Sequence, residues 1–116
     1  MEAEFDIDPI LSEALQPGER ITHRTRATAA VLALTERRVV VAAPSKVALA
    51  IPLEGVRRIQ FDIERNRPAT LVIVPERAID EPQVLAIPPE QYQAAADALV
   101  ALGLALHSMA SGERPE

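Results

Sequence analysis

Val31-Leu32-Ala33-Leu34-Thr35-Glu36-Arg37-Arg38-Val39-Val40-Val41-Ala42 is the stretch that decides the fold. Two short apolar runs flank a polar break of four residues, and the second run is solidly β-branched, which suits strands rather than helices. A break this short folds the two strands back on each other as an antiparallel hairpin. Both faces of each strand are apolar, so the hairpin is expected to be covered on two sides.

Upstream, residues 19–28 alternate with period two. Ile21, His23, Thr25 and Ala27 share one face, and Arg20, Thr22, Arg24 and Arg26 the other, giving a strand with a basic outer face. Downstream, Pro44-Ser45 makes a turn. Val47, Leu49, Ile51 and Leu53 then alternate with Lys46, Ala48, Ala50 and Pro52, and Pro52 ends that strand or places it at an edge, because proline donates no ladder hydrogen bond. After a kink at Glu54-Gly55, Arg57, Ile59, Phe61 and Ile63 face one way and Arg58, Gln60, Asp62 and Glu64 the other, a half-buried strand. A polar turn, Arg65-Asn66-Arg67-Pro68, leads to a strand over 71–74 closed by Pro75, and a last short strand covers 84–87.

Helices bracket the strands. Asp8-Pro9 supplies an N-cap acid and a first-turn proline, Ile10, Leu11, Ala14 and Leu15 share a face, and Pro17-Gly18 ends the helix after about Gln16. At the other end, Pro88-Pro89 opens a helix reaching about Met109. Its buried stripe is Tyr92, Ala95 or Ala96, Leu99, Leu102 or Gly103, and Leu106. Gly103 costs about 1 kcal/mol against alanine in a helix, so a close packing point is expected there. The remaining surface of this helix is only thinly polar, which calls for cover on a second side.

The 116 residues are 48% hydrophobic and 25% charged, an ordinary globular composition sufficient for one core. There is no cysteine, so disulfides, thiol catalysis and cysteine-based zinc sites are excluded, and a reducing, cytoplasmic setting is expected. The acidic opening Met1-Glu2-Ala3-Glu4 is unlike a signal peptide, and the apolar runs fall short of the roughly 20 residues that span a bilayer. Residues 1–8 are expected to form an acidic, flexible N-terminus, 9–109 the domain, and 110–116 a disordered tail. Net charge is −5, against general nucleic-acid binding, but it is unevenly spread: residues 1–19 carry −6, 20–67 carry +6 and 68–116 carry −5.

The order of elements describes a mainly β, α+β domain: about seven strands bent into an antiparallel sandwich or partly open barrel, capped by a C-terminal helix and preceded by a short one. In this order the chain resembles the bacterial pleckstrin-homology-like (PH-like) domains. Leu15-Gln16-Pro17-Gly18-Glu19-Arg20-Ile21 is similar to their first-strand opening, residues 31–39 to their Leu-Thr-acid-Arg-Arg hairpin, and Ile51-Pro52-Leu53-Glu54-Gly55-Val56-Arg57-Arg58-Ile59 to their return strand. The resemblance covers residues 10–106 and lacks the aromatics near the hairpin and the helix tryptophan. It implies a structural hairpin, in which the Thr35 hydroxyl bonds turn backbone, Glu36 pairs with an arginine, and Arg37 or Arg38 braces a neighbouring strand.

It also implies a non-catalytic binding or oligomerisation module. Its partners would be copies of itself or another protein, with Ala94, Ala98, Ala101 and Ala105 as the contact, because small side chains let surfaces approach. The alternatives are an anionic-ligand or membrane-surface adaptor through Arg20, Arg24 and Arg26, or peptide binding by strand addition. No cofactor is expected. His23 and His107 are far apart without a third ligand at metal spacing. Asp62 and Glu64 lie on an exposed strand face without a cleft to raise either pKa. No nucleophile elbow surrounds Ser12, Ser45, Ser108 or Ser111, and no glycine-rich phosphate loop is present, so an enzyme is not expected.

Overall fold

The computed structural model describes residues 8–110. The expectations for residues 1–7 and 111–116 lie outside the described residues, whereas Asp8 and Ala110 belong to helices. Helix α1 (Asp8–Ala14) leads into seven strands: β1 (Ile21–Arg26), β2 (Val31–Thr35), β3 (Arg38–Ala42), β4 (Val47–Pro52), β5 (Val56–Asp62), β6 (Ala69–Pro75) and β7 (Gln83–Ile87). Helix α2 (Tyr92–Ala110) closes the chain. Both sheets are antiparallel meanders, one ordered β1-β2-β3-β4 and the other β5-β6-β7.

The hairpin sits at the centre of the four-stranded sheet with Leu32 opposite Val41 and Leu34 opposite Val39. Its alternation feeds two cores. Leu32, Leu34, Val39 and Val41 face the second sheet and α2. Val31, Ala33, Val40 and Ala42 face Leu11 of α1, with Ile10 and Ala14 packed around them. The two-sided burial expected from the sequence thus has two separate covers.

Three irregularities redirect side chains. A bulge between Ile21 and His23 puts Ile21 on the α1 side of the sheet, while Thr25 and Ala27 point inward as expected. A shift between Val41 and Ala42 leaves Val47 37% exposed. Another between Val56 and Arg58 makes Val56, Ile59 and Phe61 the interior residues of β5 and leaves Arg57 outside. The predicted half-buried strand is therefore shorter than its alternation: Arg57 is exposed, and Ile63 lies beyond the strand, 58% exposed. Pro52 closes β4, which is an edge strand.

Helix α2 follows a 3-10 turn, Pro89–Gln91, and packs along β1 and a second 3-10 turn, Leu53–Gly55. Ala95, Ala98 and Leu102 are buried there, so Ala95 rather than Ala96 and Leu102 rather than Gly103 belong to the stripe. Tyr92 meets Phe61 edge-on with ring centroids 5.9 Å apart, tying the start of α2 to the second sheet. The sheets are further joined where the Thr28 N–H donates to the Ala86 carbonyl at 2.9 Å and the Arg26 N–H to Gln91 Oε1 at 2.9 Å.

Candidate functional site

The polar centre of the molecule brings together two of the quoted motifs. Glu19 follows Gly18, whose φ of +79° lies in the left-handed region that favours glycine. That turn directs the Glu19 carboxylate back under the β2–β3 turn. Arg38 grips it through two nitrogens, Nε to Oε2 at 3.0 Å and Nη2 to Oε1 at 2.7 Å. The same Nη2 donates to the Ala14 carbonyl at 2.6 Å, an end group of α1. Thr35 donates its hydroxyl to Glu19 Oε2 at 2.7 Å and accepts from the N–H groups of Arg37 and Arg38. The Gln16 N–H donates to Glu19 Oε1 at 2.9 Å.

Glu19 is 7% exposed, so this is a buried ion pair with its lone pairs satisfied. Arg38's hydrogen bonds lower the Glu19 carboxyl from 4.5 to about 2, helped by Gln16 and Thr35 and opposed by burial. The Arg38 guanidinium is shifted up, first by its hydrogen bonds to Glu19. Thr35 and Arg38 therefore play the parts the hairpin resemblance implies, but the acid that pairs is Glu19, not Glu36, which is exposed. The cluster joins α1, the β1 opening and the hairpin, and its groups are occupied with one another.

The candidate anionic face is only partly assembled. Arg24 lies opposite Ala33 and Arg26 opposite Val31, so both share the α1 side of the sheet and both are exposed. Arg20 precedes the strand, and the bulge after Ile21 breaks the alternation that would align it with them. Arg24 is already engaged in a contact of its own.

The alanine stripe is corrected outright. Ala98 is 3% exposed, and Ala101 and Ala105 pack against the core, so these small side chains let α2 approach its own sheet. Ala94 is only half-exposed. What α2 turns outward is Gln93, Asp97, Val100, Gly103, Leu104 and His107, followed near its end by Ser108 and Met109, all exposed. Val100 and Leu104 are 61% and 65% exposed, and a Cβ built on Gly103 meets nothing within 4 Å. The close packing expected at Gly103 is absent among the described residues.

Hollows mark the surface of the described residues. One of about 580 Å³ lies between the β5–β6 turn and the start of α2, lined by Ile63, Arg65, Arg67, Pro88 and Tyr92. A second, of about 390 Å³, runs between β7 and the ends of the first sheet, and its lining, including Ala27, Ala43, Ala48 and Val84, carries no charge. A third, of about 300 Å³, separates α2 from β1 near His23 and Glu36. His107 does not line that third hollow, and among the described residues no three His, Asp or Glu side chains form a metal-holding group. No helix among the described residues is long and apolar enough to cross a membrane.

Neither a protein-family model nor a curated protein matches the sequence. Among solved structures, the chain is similar to the crystal structure of a pleckstrin homology domain from Shewanella amazonensis. The TM-score is 0.57 and the identity 16%, over 83% of this chain and 96% of that one. With its four- and three-stranded antiparallel sheets and closing helix, the chain has a PH-like fold.

Proposed function

We propose that the chain is a non-catalytic PH-like module of the bacterial cytoplasm that works by binding protein, its first partner being another copy of itself. The observation that carries this reading is the outward face of α2. Val100 and Leu104 stand 61% and 65% exposed one turn apart, on a helix whose Ala95, Ala98, Ala101 and Ala105 already pack on the core. Apolar side chains at i and i+4 form one continuous patch. The perturbed ion pair Glu19–Arg38 is sealed among backbone partners, which leaves it a structural element rather than a reactive one.

Sedimentation equilibrium from micromolar to millimolar concentration tests the reading. Wild-type protein is expected to gain mass with concentration, and Leu104→Lys to stay monomeric with an unchanged circular dichroism spectrum. A wild type that is monomeric throughout ends the reading.

A second reading rests on Arg24 and Arg26 sharing one exposed sheet face, which suits an anionic headgroup. Flotation with acidic vesicles, lost at high salt, supports it, and no flotation at low salt ends it.

A further inference from the structure

The acidic residues ahead of α1 and the basic sheet face beside it are complementary. Residues 1–7, Met1-Glu2-Ala3-Glu4-Phe5-Asp6-Ile7, place acids at 2, 4 and 6 and apolar side chains at 1, 3, 5 and 7, with no base among them. An extended segment of this pattern presents one anionic side and one apolar side. On the sheet, Arg24 and Arg26 stand exposed on the α1 side, and neither β1 nor β2 contains an acid.

The fold decides where the segment starts. Arg38, at the β2–β3 turn, holds the Ala14 carbonyl at the end of α1, and Leu11 sits over Val31, Ala33, Val40 and Ala42. The helix therefore points its first residue away from that turn, towards the opposite end of the sheet. There the register sets Arg26, Val31, Ala42 and Val47 in one row across the four strands. Val47 is 37% exposed, and exposed Lys46 adjoins it. Because α1 packs on β3 and β4, the half of the face that carries the arginines lies beside it. Four strands span about 14 Å, and seven extended residues reach about 23 Å, so the segment is long enough to cross to β1.

We infer that residues 1–7 dock on the outer face of the four-stranded sheet of their own chain, the apolar side laid on the sheet and the acids met by Arg24 and Arg26. Arg24 has a contact of its own, and the five N–H donors of a guanidinium serve more than one acceptor. Ion pairs on an exposed face are weak and screened by salt, so the segment exchanges on and off. The docking stands apart from self-association through α2. It takes up the arginines that the second reading offers to an anionic headgroup, so segment and headgroup compete for one face.

The chain contains no cysteine, so Ala3→Cys carries a nitroxide at one defined position. In isotope-labelled protein at low salt, the nitroxide is expected to broaden the amide resonances of Arg24, Arg26, Val31 and Lys46 and to spare the outward face of α2 and the β5–β6 turn. High salt should remove the broadening, as should Glu2→Gln, Glu4→Gln and Asp6→Asn together. Arg24→Glu with Arg26→Glu should abolish it, with unshifted β6 resonances showing that the fold is kept. A mixture of nitroxide-bearing chains without isotope and isotope-labelled chains without nitroxide should show none. No broadening of the β1 face at low salt, broadening that survives removal of either set of charges, or broadening in the mixture, which makes a second copy the donor, overturns the inference. Because the nitroxide reads docking without any vesicle, failure of flotation ends the second reading and leaves this one standing.

Discussion

Arg38 holds Glu19 through two hydrogen bonds, at 3.0 and 2.7 Å, and the carboxylate it holds is almost wholly buried. Twenty residues of chain are tied down by this pair, because Arg38 also caps the Ala14 carbonyl and Thr35 donates to the same carboxylate. A buried pair of this kind is worth little against an apolar replacement but much against loss of one partner. Arg38→Met is expected to cost about 3–5 kcal/mol, by stranding the Glu19 charge. Glu19→Leu with Arg38→Met should recover a large part of that loss. Urea denaturation of the four members of the cycle measures the coupling.

The same pair sets a pH dependence. In the folded state Glu19 ionises at about 2 instead of 4.5, so its stabilisation is complete above 4.5 and is lost as pH falls from there toward 2. The loss is on the order of 3 kcal/mol. Wild-type stability is expected to drop through that window, and Glu19→Gln to remove the part of the slope that Glu19 contributes.

Thr25 makes the opposite case. Its side chain is fully buried on β1, and Oγ1 finds no hydrogen-bond partner among the described residues. An orphaned hydroxyl costs about 1–3 kcal/mol, and valine has nearly the same shape. Thr25→Val is expected to stabilise the domain by about 1 kcal/mol, raising the melting temperature by a few degrees.

Gly103 lies on the outside of α2. Nothing approaches the space its Cβ would fill, so Gly103→Ala should stabilise the domain by about 1 kcal/mol through helix propensity. Thermal melts of the two proteins measure the difference.

Strand order, the hairpin and the closing helix were legible in the sequence because period-two and helical patterns report directly on burial. Bulges were not: inserting one residue at Ile21 or near Val56 leaves the alternation intact on paper while rotating the chain in space. That is why Arg20 left the row of Arg24 and Arg26, and Arg57 the row of Ile59. The Glu19–Arg38 pair escaped because its halves are nineteen residues apart, although each half lay in a quoted motif. The alanines of α2 misled because a small residue signals close approach without saying to what. Only the placement of Ala98 under the core, with Val100 and Leu104 left outside, answers that.

The central claim is that the outward face of α2 is where this module meets its partner, and a backbone NMR dilution series from micromolar to millimolar concentration tests it most directly. The account predicts that the amide resonances of Asp97, Val100, Gly103, Leu104 and His107 move together with concentration while those of Arg24, Arg26 and β7 stay fixed. Resonances that do not move at all, or that move on the Arg24–Arg26 face with α2 unchanged, would contradict it.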